Sequence, residues 1–541
     1  MLIKGNYIDV FNREIFSALV FIRNGFIEKV QRSDEQFSTY IMPGFIDSHV
    51  HIESSMLVPS EFARVAVRHG TVAVVSDPHE IANVLGLDGV DFMINNAETV
   101  PLKFYFGAPS CVPATSFESN GAVIGREETE RLLSRSDIYY LSEVMNFPGV
   151  INGDLELMEK IDIARKYGKP VDGHAPGLTG KDLGVYAGAG ITTDHEAFTI
   201  EEALQKIDAG MDILIREGSA ARNMNALAPL YKKYPDKLML CSDDIHPEML
   251  LERHINGLVS ELAGRGYDLF DVLRSASVNP VEHYKIEAGL LREGDRADFI
   301  VVENLQNFRV LETWIDGRKV YSEDKVHFDS RVPDRPNHFN SNKITLADIR
   351  IENKSGQVRI IDVSDGELYT KEFKERWSEA KELNSDTDKD ILKLVVKDRY
   401  RDAKASVAFI RGFGLKEGAI ASSVAHDSHN IIAVGADDES IVKAVNRVIS
   451  EKGALAVCHD GETDAIALPV AGIMSDVPCG TIAEHYLKLS ERVKIMGSYL
   501  KAPFMTLSFM SLLVIPELKL GDRGLFDGIN FRFTDLFVNK Q

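Results

Sequence analysis

The residues of this chain best able to do chemistry, histidines and carboxylates, gather at the ends of short apolar runs. The stretch "MPGFIDSHVH" carries His49 and His51 one residue apart, shortly after a Pro-Gly turn. Val, Ile and Phe around them favour a strand, in which residues i and i+2 project to the same face. Two imidazoles so placed can share one metal ion. Two histidines on a solvated strand edge would show the same spacing, so the rest of the chain must decide. Other apolar runs end alike. "TVAVVSDPHE" closes on Asp77, His79 and Glu80, "DIYYLSEVMN" holds Glu143, "KPVDGHAP" holds His174, "GITTDHEA" holds His195, and "KLMLCSDD" ends in Asp243 and Asp244. One strand ending in histidine means little. Four histidines with two or more carboxylates are the ligand types Zn, Fe and Mn accept, in the number two ions need. The pattern points to a hydrolytic centre in which two metals are bridged by a carboxylate and a hydroxide.

The elements that must position these groups alternate in type. From about residue 44 to 285, eight strand-like bursts alternate with helical stretches such as "PSEFARVAVRHG", "DLELMEKIDIARKYG" and "IEEALQKIDAG". The helical stretches place apolar residues at i, i+3, i+4 and end in Gly. Eight such pairs over about 240 residues fit a (β/α)8 barrel, whose active groups project from the C-terminal strand ends. Both flanks read as short strands with hairpin signals, Asn24-Gly25 in "ALVFIRNGFIEKV" and Asp316-Gly317 in "RVLETWIDGRKVYS". They are expected to pair into one small sheet. The polar, Pro-containing "RVPDRPNHFNSNK" reads as a linker. Strands ("GQVRIIDV", "ILKLVVKD", "ASVAFIRGFG", "NIIAVGAD") and a helix ("DESIVKAVNRVISEKG") follow it. The expected fold is α/β: a small composite β-domain (1–43 with 286–333), a TIM-like barrel (44–285) and a C-terminal α+β domain (334–541).

Composition narrows the function classes. The 541 residues are 44% hydrophobic and 26% charged, ordinary for a soluble protein with ample core. A formal net charge of -21 argues against nucleic acid or a membrane surface as partner. Four cysteines, Cys111, Cys241, Cys458 and Cys479, are far apart and suggest neither disulfides nor a thiolate zinc module. The N-terminal "MLIKGNYIDVFNREIF" has no signal-peptide pattern, and the apolar run "APFMTLSFMSLLVIPELKL" is interrupted and too short to cross a bilayer. A cytoplasmic homo-oligomer, dimer or tetramer, acting on a small molecule is expected.

"PGFIDSHVH", single histidines on two later strands, and an Asp on the last strand resemble the amidohydrolase superfamily. "GFIDSHVHIESSM", "VSDPHEIANVLG", "DGHAPGL", "TTDHEA", "CSDDIHPEML" and "AHDSHNIIAVG" are similar, more specifically, to the adenine deaminases of bacterial and archaeal type. The likeness covers essentially the whole chain. It implies hydrolysis of adenine to hypoxanthine and ammonia by a metal-activated bridging hydroxide, in purine salvage. It further implies that His49 and His51 bind one divalent ion and His174 and His195 another, with Mn or Fe foremost and Zn possible. Glu143 would bridge them where many relatives use a carboxylated lysine. Asp243 would bind metal and take a proton, with Asp244 as the adjacent alternative. Glu80 is the expected proton donor to the ring, kept protonated by burial, and Asp77 belongs to the same motif, where it could equally be a helix cap. Glu53, His79, Asp244, His426 and His429 are candidates for substrate contact.

Other motifs fail on inspection. "HIE" lacks the P-C-x-x-C half of the single-zinc deaminase signature. "HEIAN" is not H-E-x-x-H, since Asn83 stands at the second histidine. "GFGLKEG" has no dinucleotide-loop spacing. The nearest rival is another binuclear amidohydrolase acting on a cyclic amide or related nucleobase. A non-catalytic scaffold is opposed by the full set of ligand types.

Overall fold

A computed structural model describes every residue except 220, 333, 355, 378–380 and 539–541. The chain clusters into two units. The first comprises Met1–Pro78, Asp91–Ser110 and Gly125–Pro333; the second comprises His79–Val90, Cys111–Ile124 and Asp334–Gln541. Residues 79–90 and 111–124, which the strand–helix alternation assigns to the barrel span, therefore group with the C-terminal third. Periodicity cannot register which neighbours a loop collects. Pro333, at the expected linker, lies outside the described residues.

In the first unit, four N-terminal strands, β1 (Leu2–Asp9), β2 (Glu14–Arg23), β3 (Phe26–Arg32) and β4 (Tyr40–Pro43), precede the barrel. Asn24 (φ 52°) and Gly25 (φ 83°) turn β2 into β3, the left-handed pair that a two-residue hairpin demands. The chain then passes Gly44, where a Cβ would lie 2.2 Å from Val72 Cγ1, so only glycine fits the step into β5.

The eight expected bursts are the eight barrel strands. They are β5 (Phe45–Val50), β6 (Thr71–Ser76), β7 (Lys103–Ala108), β8 (Ile138–Val144), β9 (Val171–Gly173), β10 (Thr193–Asp194), β11 (Asp212–Arg216) and β12 (Leu238–Cys241). Strands β5 to β9 pair in parallel in chain order, as do β10 to β12. Thr192 N–H to Val171 O (2.9 Å) joins the two sheets on one side, and Asp243 N–H to His49 O (2.9 Å) closes the ring on the other. Ile46, Ala73, Val75, Tyr105, Tyr140, Leu214, Met239 and Cys241 fill the interior as one apolar cluster. The helices cap as their sequences require. Asp154 accepts from Leu157 N–H ahead of Leu155–Lys166, and Thr199 accepts from Glu202 N–H ahead of Ile200–Asp208.

After the barrel, β13 (Phe299–Val302), β14 (Val310–Ile315), β15 (Arg318–Ser322) and β16 (Lys325–Val326) join the N-terminal strands in one sheet, ordered β16-β15-β14-β13-β4-β1-β2-β3. Both flanks thus contribute strands to a single sheet. In the second unit, strands 357–363, 391–397, 406–411 and 431–435 appear where their alternation places them, within a mixed sheet. The helix Asp438–Glu451 lays Ile441, Ala444, Val445 and Val448 on that sheet.

Candidate functional site: a buried metal centre

The C-terminal strand ends of the first unit bring together most of the predicted ligands. His49 lies in β5 and His51 just past it; their Nε2 atoms are 3.2 Å apart, with the rings nearly perpendicular. Glu143, in β8, lies among four imidazoles. Its Oε1 is 3.4 Å from His51 Nε2, and its Oε2 is 2.9 Å from His174 Nδ1, 3.1 Å from His195 Nε2 and 3.9 Å from His49 Nε2. Asp243 Oδ1 stands 3.2 Å from His51 Nε2 and 3.5 Å from His49 Nε2. A carboxylate oxygen of Asp77, after β6, falls within 4.8 Å of donor atoms of His51 and Glu143.

These spacings fit a metal. Donors sharing one tetrahedral ion at about 2.0–2.1 Å stand about 3.3 Å apart, close to the separations seen. His51 Nδ1–H donates to the Asp77 carbonyl (3.2 Å), which leaves the lone pair on Nε2 for an ion. The electrostatics agree. Burial alone would raise the Glu143 carboxyl, but His174 and His195 hold it well below the usual range. Burial would lower His174, but Glu196 and Glu143 push it up to about 9. The carboxylates that raise His174 are the negative charges beside which a divalent cation could replace a proton. Burial, Arg216, then His49 and His51 act on Asp243, and its carboxyl too is held well below the ordinary value. Glu143 and Asp243 therefore stay ionised.

Asp243 and Asp244 both bring a carboxylate oxygen within 4.8 Å of a His51 nitrogen, and they do so through a turn that strand alternation does not describe. Strand β12 ends at Cys241, and Asp243 takes a left-handed backbone (φ 55°), pinned by its N–H to His49 O and by His51 N–H (3.1 Å) to its carbonyl. That conformation is strained for a residue other than glycine, and aspartate tolerates it better than most. Asp244 turns to accept from Ser54 Oγ (2.5 Å). Glu53 is buried in the short turn Ile52–Ser55 that follows His51.

The second unit holds another buried group of predicted residues. Glu80 Oε1 pairs with His426 Nδ1 and its Oε2 with His429 Nε2, while His79 Nε2 stands 3.5 Å from Oε1 and 4.0 Å from Asp427 Oδ1. The His426 ring stacks on Phe509, with centroids 4.7 Å apart. Here a sequence expectation is corrected. Burial does oppose ionisation of Glu80, but His426, His429 and His79 overcome it and hold the carboxyl well below its usual value. The net pull on Glu80 is therefore downward, opposite to the one burial alone implies. The partners that decide this are far along the chain, so burial alone misjudges it. Burial pulls His429 down to about 4.

The amidohydrolase family model matches residues 40–320, and the adenine deaminase C-terminal domain matches residues 367–532. Curated relatives called adenine deaminase match from end to end. The protein of Sulfurovum sp. (strain NBC37-1) is 56% identical, and those of Methanosarcina mazei and Salinibacter ruber are 51% identical, each over 99% of both chains. This chain belongs to the adenine deaminase family. A family member of the amidohydrolase type with this buried His/Asp/Glu cluster carries a divalent metal site.

Two residues of this adenine deaminase family member, Glu196 and Arg216, escape the sequence reading. Glu196 directly follows His195, and Arg216 ends the otherwise apolar "DILIR". A charged residue closing a buried strand was the available signal. Asp47 was missed as well. Fully buried in β5, it accepts from Ser242 N–H (3.0 Å), from Ser242 Oγ and from His254 Nε2 (2.8 Å), and so ties β5 to the chain after β12 beneath the metal donors. Asp47→Ala would strand His254 and the Ser242 amide without an acceptor. A loss of about 3–5 kcal/mol is expected, read as a lowered urea midpoint. An unchanged midpoint would remove Asp47 from the forces that close the barrel.

Proposed function

We propose that this chain hydrolyses adenine to hypoxanthine and ammonia, with two divalent ions, Mn or Fe foremost and Zn possible. One observation carries the reading: four imidazoles and Asp243 converge on a single ionised carboxylate, Glu143, at the mouth of a barrel. Full-length relatives carry the name adenine deaminase. Imidazole and carboxylate donors without thiolate suit all three metals.

His49 and His51 would hold one ion and His174 and His195 the other, with the Glu143 carboxylate placed among the four imidazoles. Bound there, the ions would supply Lewis acidity and would bring the pKa of water towards 7. Asp243 receives one proton of the attacking water through Oδ1 as oxygen adds to C6 of the purine. The electron pair displaced from the C6–N1 bond is met by a proton at N1. Glu80 with His426 is that donor, the proton residing on the pair rather than on an isolated carboxyl. Asp243 then hands its proton to the exocyclic amine, the C6–amine bond breaks, and ammonia leaves. The remaining hydroxyl proton restores the acid as the carbonyl of hypoxanthine forms. Asp77 orients His51 through its carbonyl. Glu53, His79, Asp244 and His429 are the proposed contacts to the purine edges, and the active species is a cytoplasmic homo-oligomer.

Purified protein loaded separately with Mn, Fe and Zn is expected to convert adenine to hypoxanthine with equimolar ammonia, whereas His49→Ala under the same loading is not. Intact adenine beside two bound ions per chain would overturn the substrate assignment, and cyclic amides would be assayed next.

A further inference from the structure

Arg216 carries a full positive charge into the metal centre, where a cation has no evident business. It is the last residue of β11 and is 2% exposed. Its Nη1 donates to Asp243 Oδ2 and to Glu196 Oε1 (2.6 Å), and its Nη2 to Glu196 Oε2 (3.1 Å). The planar fork thus spans two carboxylates, a geometry that lysine cannot reproduce. The guanidinium and Glu196 cancel in charge, so the pair adds little repulsion against a bound cation.

The backbone around Arg216 is equally fixed. Its N–H donates to Asn223 Oδ1 (2.8 Å), and its carbonyl accepts from Asn223 N–H (3.1 Å). Asn223 Nδ2 in turn donates to the carbonyls of His195 (3.0 Å) and Ala197 (3.2 Å). One asparagine therefore locks Arg216 to the segment that carries His195 and Glu196. Burying a guanidinium costs several kcal/mol unless its hydrogen bonds are met, so the arrangement demands a return.

We infer that Arg216 is a positioning residue that dictates which oxygen of Asp243 faces the metal donors. With Oδ2 held by Arg216, only Oδ1 points to His49 and His51, and the carboxylate cannot rotate to present both oxygens to an ion. With Oδ2 engaged by Arg216, the lone pairs of Oδ1 are the ones left to meet an ion and the water. Arg216 keeps Asp243 singly engaged and open to a proton, and Glu196 and Asn223 keep Arg216 in place. The inference rests on the metal-centre reading above, but it predicts a coordination change that is independent of substrate identity.

The test is Arg216→Met in the full-length protein loaded with cobalt(II), beside the parent. The cobalt visible bands report coordination number, and metal content is measured separately. The expected result is unchanged metal per chain, altered cobalt bands, and kcat for adenine lower by on the order of a hundredfold with KM within about twofold. Added guanidinium should restore part of the rate in Arg216→Ala. Unaltered bands and kcat, or metal lost in proportion to activity, would overturn the inference. Should Arg216→Met fail to fold, Glu196→Gln loosens the same clamp with the arginine present. The same band change with about a tenfold lower kcat is expected, and no change in either would overturn it. If the parent leaves adenine untouched, the substrate reading fails while the cobalt comparison still decides the role of Arg216.

Discussion

Glu143→Ala should abolish metal binding and turnover together. The side chain stands within 4 Å of donor atoms of His49, His51, His174 and His195, and among the described residues no other carboxylate of the first unit is paired with all four. Its loss removes the anion that offsets repulsion between two cations and leaves four imidazoles facing one another. Lewis-acid stabilisation of several kcal/mol is then forfeited, and at 1.36 kcal/mol per tenfold that amounts to about a thousandfold or more in rate. The measurement is metal per chain after gel filtration, with adenine turnover and circular dichroism alongside. A folded variant that keeps the parent's metal content and rate would refute the bridging role. A variant with metal but without activity would point instead to a role for Glu143 in proton transfer.

Glu80→Gln should separate chemistry from metal binding. No metal donor of the first unit is altered, so metal content should match the parent, while loss of a general acid lowers kcat by about 10²–10⁴. The variant also has a stability signature. The Glu80 carboxyl is held well below its ordinary value by His426, His429 and His79, against burial. A depressed carboxyl stabilises the fold fully above its unfolded value of about 4.3, and that contribution is lost as pH falls through the folded value. The parent should therefore lose stability below about pH 4 in a step that the glutamine variant lacks. At pH 7 the variant should be less stable by about 1.5–3 kcal/mol, the worth of a hydrogen bond to a charged group. The facing groups are His79, His426 and His429, with Asp427 4.0 Å from His79. Full activity in Glu80→Gln would dismiss the acid. Unchanged activity with lowered stability would reduce the trio to a structural bond.

The sequence alone determined what is written locally. Strand and helix periods recur every few residues, so the eight barrel strands and both hairpins could be read from short windows. The placement of the candidate ligands was legible for the same reason, because a barrel presents whatever ends its strands, and His49, His51, Glu143, His174 and His195 lie at those ends. Tertiary structure decided the pairings. Asp243 comes within 3.5 Å of His49 and His51 through a left-handed turn beyond β12, and a turn of that kind leaves no period-2 trace. Arg216 and Glu196 take meaning only from each other and from Asp243. The Glu80 carboxyl is drawn below its usual value because His426, 346 residues away, is folded against it. Side-chain pairing over such distances depends on how whole elements pack, and the free energy of a buried charge is set by those neighbours rather than by its own place in the chain.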